Sequence, residues 1–111
     1  MKKIELRYSY HAWGFNEDEY QIIDLENKIY ARFDKDALLS NIPLTSDIIE
    51  QVALIFDPIY KEFPQSVQSF DAPRWTLRID DKSCTRIAIV DDDPYYKKVV
   101  EIFNVFKKYG N

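Results

Sequence analysis

The chain has 111 residues, which is enough to bury one hydrophobic core but not two independent ones. Apolar residues make up 46% of it and aromatic residues 15%, so the composition excludes an intrinsically disordered chain. The 15 basic and 19 acidic residues give a net charge of −4, which disfavours nucleic-acid binding because phosphate neutralisation needs clustered Lys and Arg.

The sequence carries no signal for export or membrane insertion. Its first residues are basic, but Glu5 and Arg7 interrupt any apolar segment. The longest uncharged runs are far shorter than the roughly 20 apolar residues that a membrane span needs. The single Cys84 cannot form an internal disulfide and suits a reducing compartment. We therefore expect a cytoplasmic protein that does not contact the membrane.

Alternating apolar and polar residues predict three strands in the first third of the chain. The first covers residues 4–11, and the second resumes the alternation at Tyr20 after an acidic loop that begins at Asn16. The third covers residues 29–33, with Ile29, Ala31 and Phe33 on one face. We expect these three strands to form an antiparallel meander.

From Thr45 the apolar spacing changes to three and four, which predicts an amphipathic helix. Thr45 or Ser46 is a suitable N-cap. Pro58 lacks a backbone donor, so we expect a kink or a restart there, and Pro64 ends the helix. The predicted apolar stripe consists of Ile48, Val52, Ile55, Phe56, Ile59, Tyr60 and Phe63.

The last 40 residues predict a hairpin and a second helix. Strands at 74–80 and 84–90 flank a turn at 81–83, and Asp92 or Asp93 caps a helix that has Pro94 at its favoured first position. The predicted stripe of this helix is Tyr95, Val99, Ile102, Phe103 and Phe106. The element order βββαββα over residues 1–111 favours a two-layer α+β sandwich, in which about five mainly antiparallel strands carry both helices on one face.

No residue pattern identifies a catalytic or metal site. His11 and Cys84 are a possible base and nucleophile, but neither lies in a supporting motif. Asp91, Asp92 and Asp93 are better explained as a helix cap than as cation ligands, because the segment has no glycine for a sharp turn. Phosphate-binding glycine loops and zinc motifs are absent from the sequence. We expect no catalytic residue, no metal site and no small-molecule cofactor.

Surface chemistry therefore carries the functional hypothesis. Five carboxylates fall between Asn16 and Asn27 without a basic residue among them, and Trp13 precedes them as a possible aromatic anchor. An acidic surface is also ordinary solubility chemistry, and Trp13 could equally close the edge of the core. The candidate partner-binding residues are Trp13, Glu17, Asp18, Glu19, Asp24 and Glu26.

The C-terminal part resembles small bacterial immunity proteins encoded beside polymorphic or contact-dependent toxins. The likeness rests on the stretch 75–81, a second short strand, the helix start Asp93-Pro94 and a closing aromatic helix. Ser83 and Asp92 stand where such tails carry glycine. The resemblance implies a cytoplasmic inhibitor that binds a toxin domain, often a basic nuclease, and it supplies no catalytic residues.

Three functions thus stay open. The first is an acidic immunity protein that neutralises a basic toxin or enzyme domain. The second is an anti-defence inhibitor from a phage or mobile element, which differs only in its target. The third is a small enzyme that uses His11 or Cys84. An adjacent toxin gene separates the first from the second.

Overall fold

Six strands and two helices form the fold in the computed structural model, which describes residues 1–12, 14–66, 73–87 and 94–109, without the side chains of residues 11, 12, 15 and 107–109. The elements are β1 (Lys3–Ala12), β2 (Phe15–Asp24), β3 (Ile29–Asp34), β4 (Ala37–Pro43), α1 (Ser46–Lys61), β5 (Arg74–Ile79), β6 (Lys82–Ile87) and α2 (Pro94–Tyr109). None of the described helices is long and apolar enough to cross a membrane.

The strands form one antiparallel sheet in the order β4-β3-β2-β1-β5-β6. The predicted α+β class is confirmed, but the prediction of five strands is wrong because β4 was missed. The register of β4 shifts at a bulge opposite Arg32 and Phe33, so Leu38 and Leu39 follow each other without alternation. Both leucines are about half exposed, so the period-2 pattern of a half-buried strand is absent.

Both helices lie on the same face of the sheet, as predicted. Tyr30 of β3 stacks on Phe106 of α2 with ring centroids 5.1 Å apart, and Trp75 of β5 stacks on Tyr96 at 5.2 Å. The register aligns Ile4 with Ile23 and Ile79, so apolar residues of three strands form a continuous row beneath the helices. We call this side of the sheet the inner face and the other side the outer face.

The first helix begins where the sequence predicts, but its path at Pro58 and its end differ from the prediction. Thr45 caps it, with its Oγ1 accepting a hydrogen bond from the Ile48 backbone N–H at 3.3 Å. One helix runs through Pro58 to Lys61, so the alternative of a restart at Pro58 is wrong. The helix also ends three residues before Pro64, the predicted stop.

The second hairpin and the second helix lie close to their predicted positions. The turn falls at Asp80 and Asp81 rather than at 81–83, since β6 already begins at Lys82. Tyr96, not Tyr95, is the buried aromatic residue in the first turn of α2. The expected end of β6 at residues 88–90 and the caps Asp92 and Asp93 lie outside the described residues.

A core of aromatic and aliphatic side chains fills the space between the helices and the sheet. The rings of Phe56 and Phe103 meet edge to face at 6.3 Å, which joins α1 to α2. The fully buried side chains include Trp75, Tyr30, Phe56, Phe103, Ile4, Ile23, Leu77, Ile79, Val99 and Cys84. Because these residues have essentially no solvent exposure, removing one of the rings would cost about 3–5 kcal/mol of stability.

Candidate functional site

The hairpin of β1 and β2 projects beyond the rest of the sheet. Both strands have ten residues, but β5 pairs with β1 only over Ile4–Ser9, and β3 pairs with β2 only over Glu19–Asp24. Residues 10–12 therefore pair only with residues 15–17, whereas the backbone carbonyl of Asp18 also accepts a hydrogen bond from the Lys35 N–H at 3.0 Å. Gly14 turns the chain there with a φ of +83°, a conformation that costs glycine little. The acidic segment that sequence analysis placed in a loop is thus the first half of a strand.

Alternation along β2 divides the predicted acidic residues between the two faces. Glu19 lies opposite Tyr8 of β1, and Glu17 lies opposite Tyr10, so both glutamates share the inner face with these tyrosines. Asp18 falls on the outer face, where its Oδ1 lies 3.8 Å from the Nε of Arg7. On the inner face, the structure therefore brings together Glu17 and Glu19 of the predicted set, with Asp18 between them on the opposite face.

Asp24 and Glu26 lie at the opposite end of β2. The Asp24 carboxylate accepts hydrogen bonds from the backbone N–H groups of Glu26 and Asn27 at 3.1 and 2.9 Å. It is 7% exposed and holds the turn into β3, which is a structural role. Seven residues of strand separate Asp24 from Glu17, a distance of roughly 23 Å. Asp24 and Glu26 thus lie apart from Glu17, and the predicted anchor Trp13 lies outside the described residues, so a partner-binding role for these residues stays a prediction.

Tyr8 links the acidic residues to the core. Partial burial, the negative charge of Glu17 and a hydrogen bond to Glu17 raise the pKa of the Tyr8 hydroxyl above 10.0. Tyr96 of α2 lines the same depression as Tyr8 and Glu19, and burial, followed by the charges of Tyr8 and Glu19, raises the pKa of the Tyr96 hydroxyl. Both tyrosines therefore remain neutral hydrogen-bond donors near pH 7.

Arg32 partly neutralises this region from β3. Its Nη1 lies 3.8 Å from Oε1 of Glu19, and its side chain is only 14% exposed. Glu17 has no basic partner within ion-pair distance among the described residues, and it is exposed. The negative charge open to solvent at this end of the inner face is therefore carried mainly by Glu17 and by the exposed Asp34.

Two adjacent depressions mark the part of the inner face that the helices leave open. The first, of about 330 Å³, is lined by Tyr8, Asn16, Glu17, Asp18, Glu19, Arg32, Asp34, Lys35 and Leu39. The second, of about 240 Å³, runs between the sheet and α2 and is lined by Leu6, Tyr8, Glu19, Gln21, Tyr96, Val100, Phe103 and Asn104. Tyr8 and Glu19 line both, so the depressions are neighbours. We call the first the acidic depression and the second the apolar slot.

The outer face satisfies its charges internally. The guanidinium of Arg7 lies 5.1 Å from the ring centroid of Tyr20, and the Tyr20 hydroxyl donates a hydrogen bond to Glu5. Glu5 Oε2 lies 3.8 Å from Nε of Arg78. Burial and the bond to Glu5 raise the pKa of Tyr20, so this residue also stays neutral. These paired groups make the outer face a weaker candidate for charge-based binding than the inner one.

The candidate nucleophile and base lie far apart. Cys84 is buried beneath the helices, and the register places it two strands away from Leu6 of β1. His11 lies five residues further along β1, so the two Cα atoms are separated by about 20 Å. A separation of about 20 Å between the backbone positions does not support a base and nucleophile acting as a pair. The described residues contain no group of three His, Cys, Asp or Glu side chains that could hold a metal ion.

Comparisons with protein-family models, with curated proteins and with solved structures find no match for this chain. The resemblance of the C-terminal part to toxin-immunity proteins therefore remains a prediction.

Sequence reasoning missed several residues of this surface. Tyr8 was placed on the first strand, but its pairing with Glu19 depends on a hairpin register that the acidic segment concealed. Arg32 and Leu39 come from β3 and the unrecognised β4. Tyr96 and Val100 were not recognised as slot residues, because the angle at which α2 crosses the sheet is a tertiary property.

Proposed function

We propose that the protein is a non-enzymatic inhibitor of the immunity type, which binds and neutralises a basic toxin or enzyme domain with the open end of its inner face. The observation that carries the proposal is the placement of Glu17 and Glu19 on one face with Tyr8, at the end of the sheet that the helices leave uncovered. The acidic depression is lined by three inner-face carboxylates, those of Glu17, Glu19 and Asp34, and by two basic groups, so a positively charged surface complements it.

The aromatic side chain of Tyr8 supports this surface as a site of affinity for a protein partner. Tyrosine offers a large amphipathic contact area at low entropic cost, and Tyr8 lies next to Trp75, which stacks on Tyr96. The separation of Cys84 from His11 by about 20 Å supports a role that does not use these two residues as a catalytic pair. A binding role needs no further chemistry from this chain.

The proposal is tested by growth rescue. The product of the gene next to the one that encodes this chain is expressed in a bacterial host, alone and together with the protein. We expect the neighbouring product to stop growth and the protein to restore it. The double variant Glu17→Lys and Glu19→Lys should lose rescue by at least tenfold in surviving cells, because it turns attraction into repulsion.

The matched control is the double variant Glu50→Lys and Glu101→Lys, which makes the same charge change at exposed helix positions. It should rescue growth like the unmodified protein. A neighbouring product that is harmless to the host would contradict the immunity role, and it would favour the anti-defence inhibitor, whose target lies in another genetic system. Equal loss of rescue in both double variants would show that net charge matters and that this surface does not.

A further inference from the structure

The acidic depression and the apolar slot lie side by side, with Tyr8 and Glu19 between them. Along β2 the acidic depression is lined by residues 16–19 and the slot by Glu19 and Gln21. The two centres are therefore offset by about two residues of strand, or roughly 7 Å. On an extended segment, side chains two residues apart point in the same direction and are also separated by roughly 7 Å, which matches the offset between the two depressions.

The two depressions differ in chemistry. Glu17 and Asp34 are exposed carboxylates at the rim of the first, and the ring of Tyr8 forms part of its wall. An ammonium or guanidinium group in this position could contact both a carboxylate and an aromatic ring. The outer face of the same hairpin already holds Arg7 in this way, with Tyr20 at 5.1 Å and Asp18 at 3.8 Å.

The slot favours an apolar side chain. Leu6, Val100 and Phe103 contribute hydrocarbon to its lining, and Tyr96 adds an aromatic wall. Gln21 and Asn104 supply amide groups at its sides, and Asn104 is exposed at the rim. A volume of about 240 Å³ is sufficient for one large aliphatic side chain and not for a drug-sized ligand.

We infer that the partner presents an extended segment with a basic residue and a large aliphatic residue two positions apart, the basic one beside Tyr8 and Glu17 and the aliphatic one in the slot next to α2. This inference rests on the proposed function and specifies the chemistry of the partner. Charge complementarity selects the basic residue, and the apolar lining selects its neighbour.

The test is an NMR titration of the whole protein with capped tripeptides. The probes are acetyl-Arg-Gly-Leu-amide, its reversed sequence acetyl-Leu-Gly-Arg-amide, and the single-anchor peptides acetyl-Arg-Gly-Gly-amide and acetyl-Gly-Gly-Leu-amide. We expect saturable shifts of the backbone amide signals of Tyr8, Glu17, Glu19, Tyr96 and Val100. One of the two double-anchor peptides should bind at least threefold more tightly than either single-anchor peptide.

Variants assign each anchor to its depression. Glu17→Gln with Asp34→Asn, at two exposed carboxylates that line the acidic depression and not the slot, should weaken the peptides that contain arginine by at least threefold and leave acetyl-Gly-Gly-Leu-amide unchanged. Asn104→Trp fills the slot from an exposed position, so it should abolish the contribution of leucine without loss of folding. Glu50→Gln with Glu101→Gln is the matched control. It should change neither the affinity for the peptides that contain arginine nor the contribution of leucine.

Absence of saturable shifts at these residues would overturn the inference, and so would shifts centred on Asp80 and Asp81. If the peptides do not bind while growth rescue still depends on Glu17 and Glu19, the proposed function stands, and the inference of a partner segment with two anchors is wrong. If the peptides bind as expected and the neighbouring gene product is harmless, the docking chemistry stands and the immunity role is wrong.

Discussion

Tyr8 and Glu19 face each other across the β1–β2 pair, on the side of the sheet that carries both helices. Their position joins the open surface to the core, because Tyr8 also pairs with the buried Trp75 of the neighbouring strand β5. Glu19 in turn pairs with Arg32 of β3 at 3.8 Å. A change at this pair therefore reaches both the core and the open surface, whereas a change at Glu17 affects the surface alone.

A comparison of Glu17 with Asp18 tests the placement of the binding surface. Glu17→Gln and Asp18→Asn remove the same charge from neighbouring positions on opposite faces. Both should slow association slightly, since both charges lie within a Debye length of the partner. Only Glu17→Gln should speed dissociation, by roughly tenfold, because it removes a direct contact. Surface plasmon resonance with the purified partner measures both rates, and faster dissociation of Asp18→Asn would place the interface on the outer face.

Periodicity in the sequence was sufficient to predict both helices and five of the six strands. It failed at β4, because a bulge lets Leu38 and Leu39 occupy adjacent exposed positions. It missed the first half of β2, because the inner-face residues Glu17 and Glu19 face the open depressions, where a strand need not be apolar. The proposed binding surface combines five elements, β1 to β4 and α2, so it depends on strand order and helix placement, which local patterns do not specify.

His11 and Cys84 provide a test of the non-enzymatic account. His11→Ala and Cys84→Ala, made singly, should retain partner inhibition wherever the variant folds, because the two positions are about 20 Å apart. Cys84→Ala should lower the free energy of unfolding by about 1 kcal/mol, since the side chain is buried in the core. A loss of inhibition of a hundredfold or more with unchanged stability would support the enzyme alternative.

The turn between β5 and β6 should make stability depend on pH. Burial raises the pKa of Asp80, but hydrogen bonds from the backbone N–H groups of Lys3 and Lys2 outweigh it and hold this pKa below its ordinary 3.8. The ionised carboxylate therefore stabilises the fold above pH 3.8, and this contribution is lost as pH falls through the lower, folded-state pKa.

Asp80→Asn should thus cost about 1–2 kcal/mol at pH 7 and little near pH 2. Asparagine accepts the positive φ of 52° at this position, so the backbone is not strained by the change. The matched control is Asp36→Asn, an exposed turn residue with a φ of 68°. Urea unfolding at several pH values measures the difference, and a cost at pH 2 equal to that at pH 7 would exclude the charge as its cause.

Pro58 should reduce the stability of α1. A helix that passes through proline lacks one backbone hydrogen bond at the preceding turn, and the ring crowds that turn. Pro58→Ala should raise the free energy of unfolding by about 1–2 kcal/mol, after allowance for the greater freedom of alanine in the unfolded chain. Thermal unfolding measures the gain, and a loss of stability would show that the exposed proline fits the helix better than alanine.

The salt dependence of association tests the central claim that the open end of the inner face attracts a basic partner. Stopped-flow mixing at about 0.05 and 0.5 M salt, with the unmodified protein and the double variant Glu17→Lys and Glu19→Lys, gives four association rates. We expect the unmodified rate to fall about tenfold at high salt, and the double variant to be at least tenfold slower than the unmodified protein at low salt. Equal rates for the two proteins at low salt would contradict the account, because the partner would then dock elsewhere.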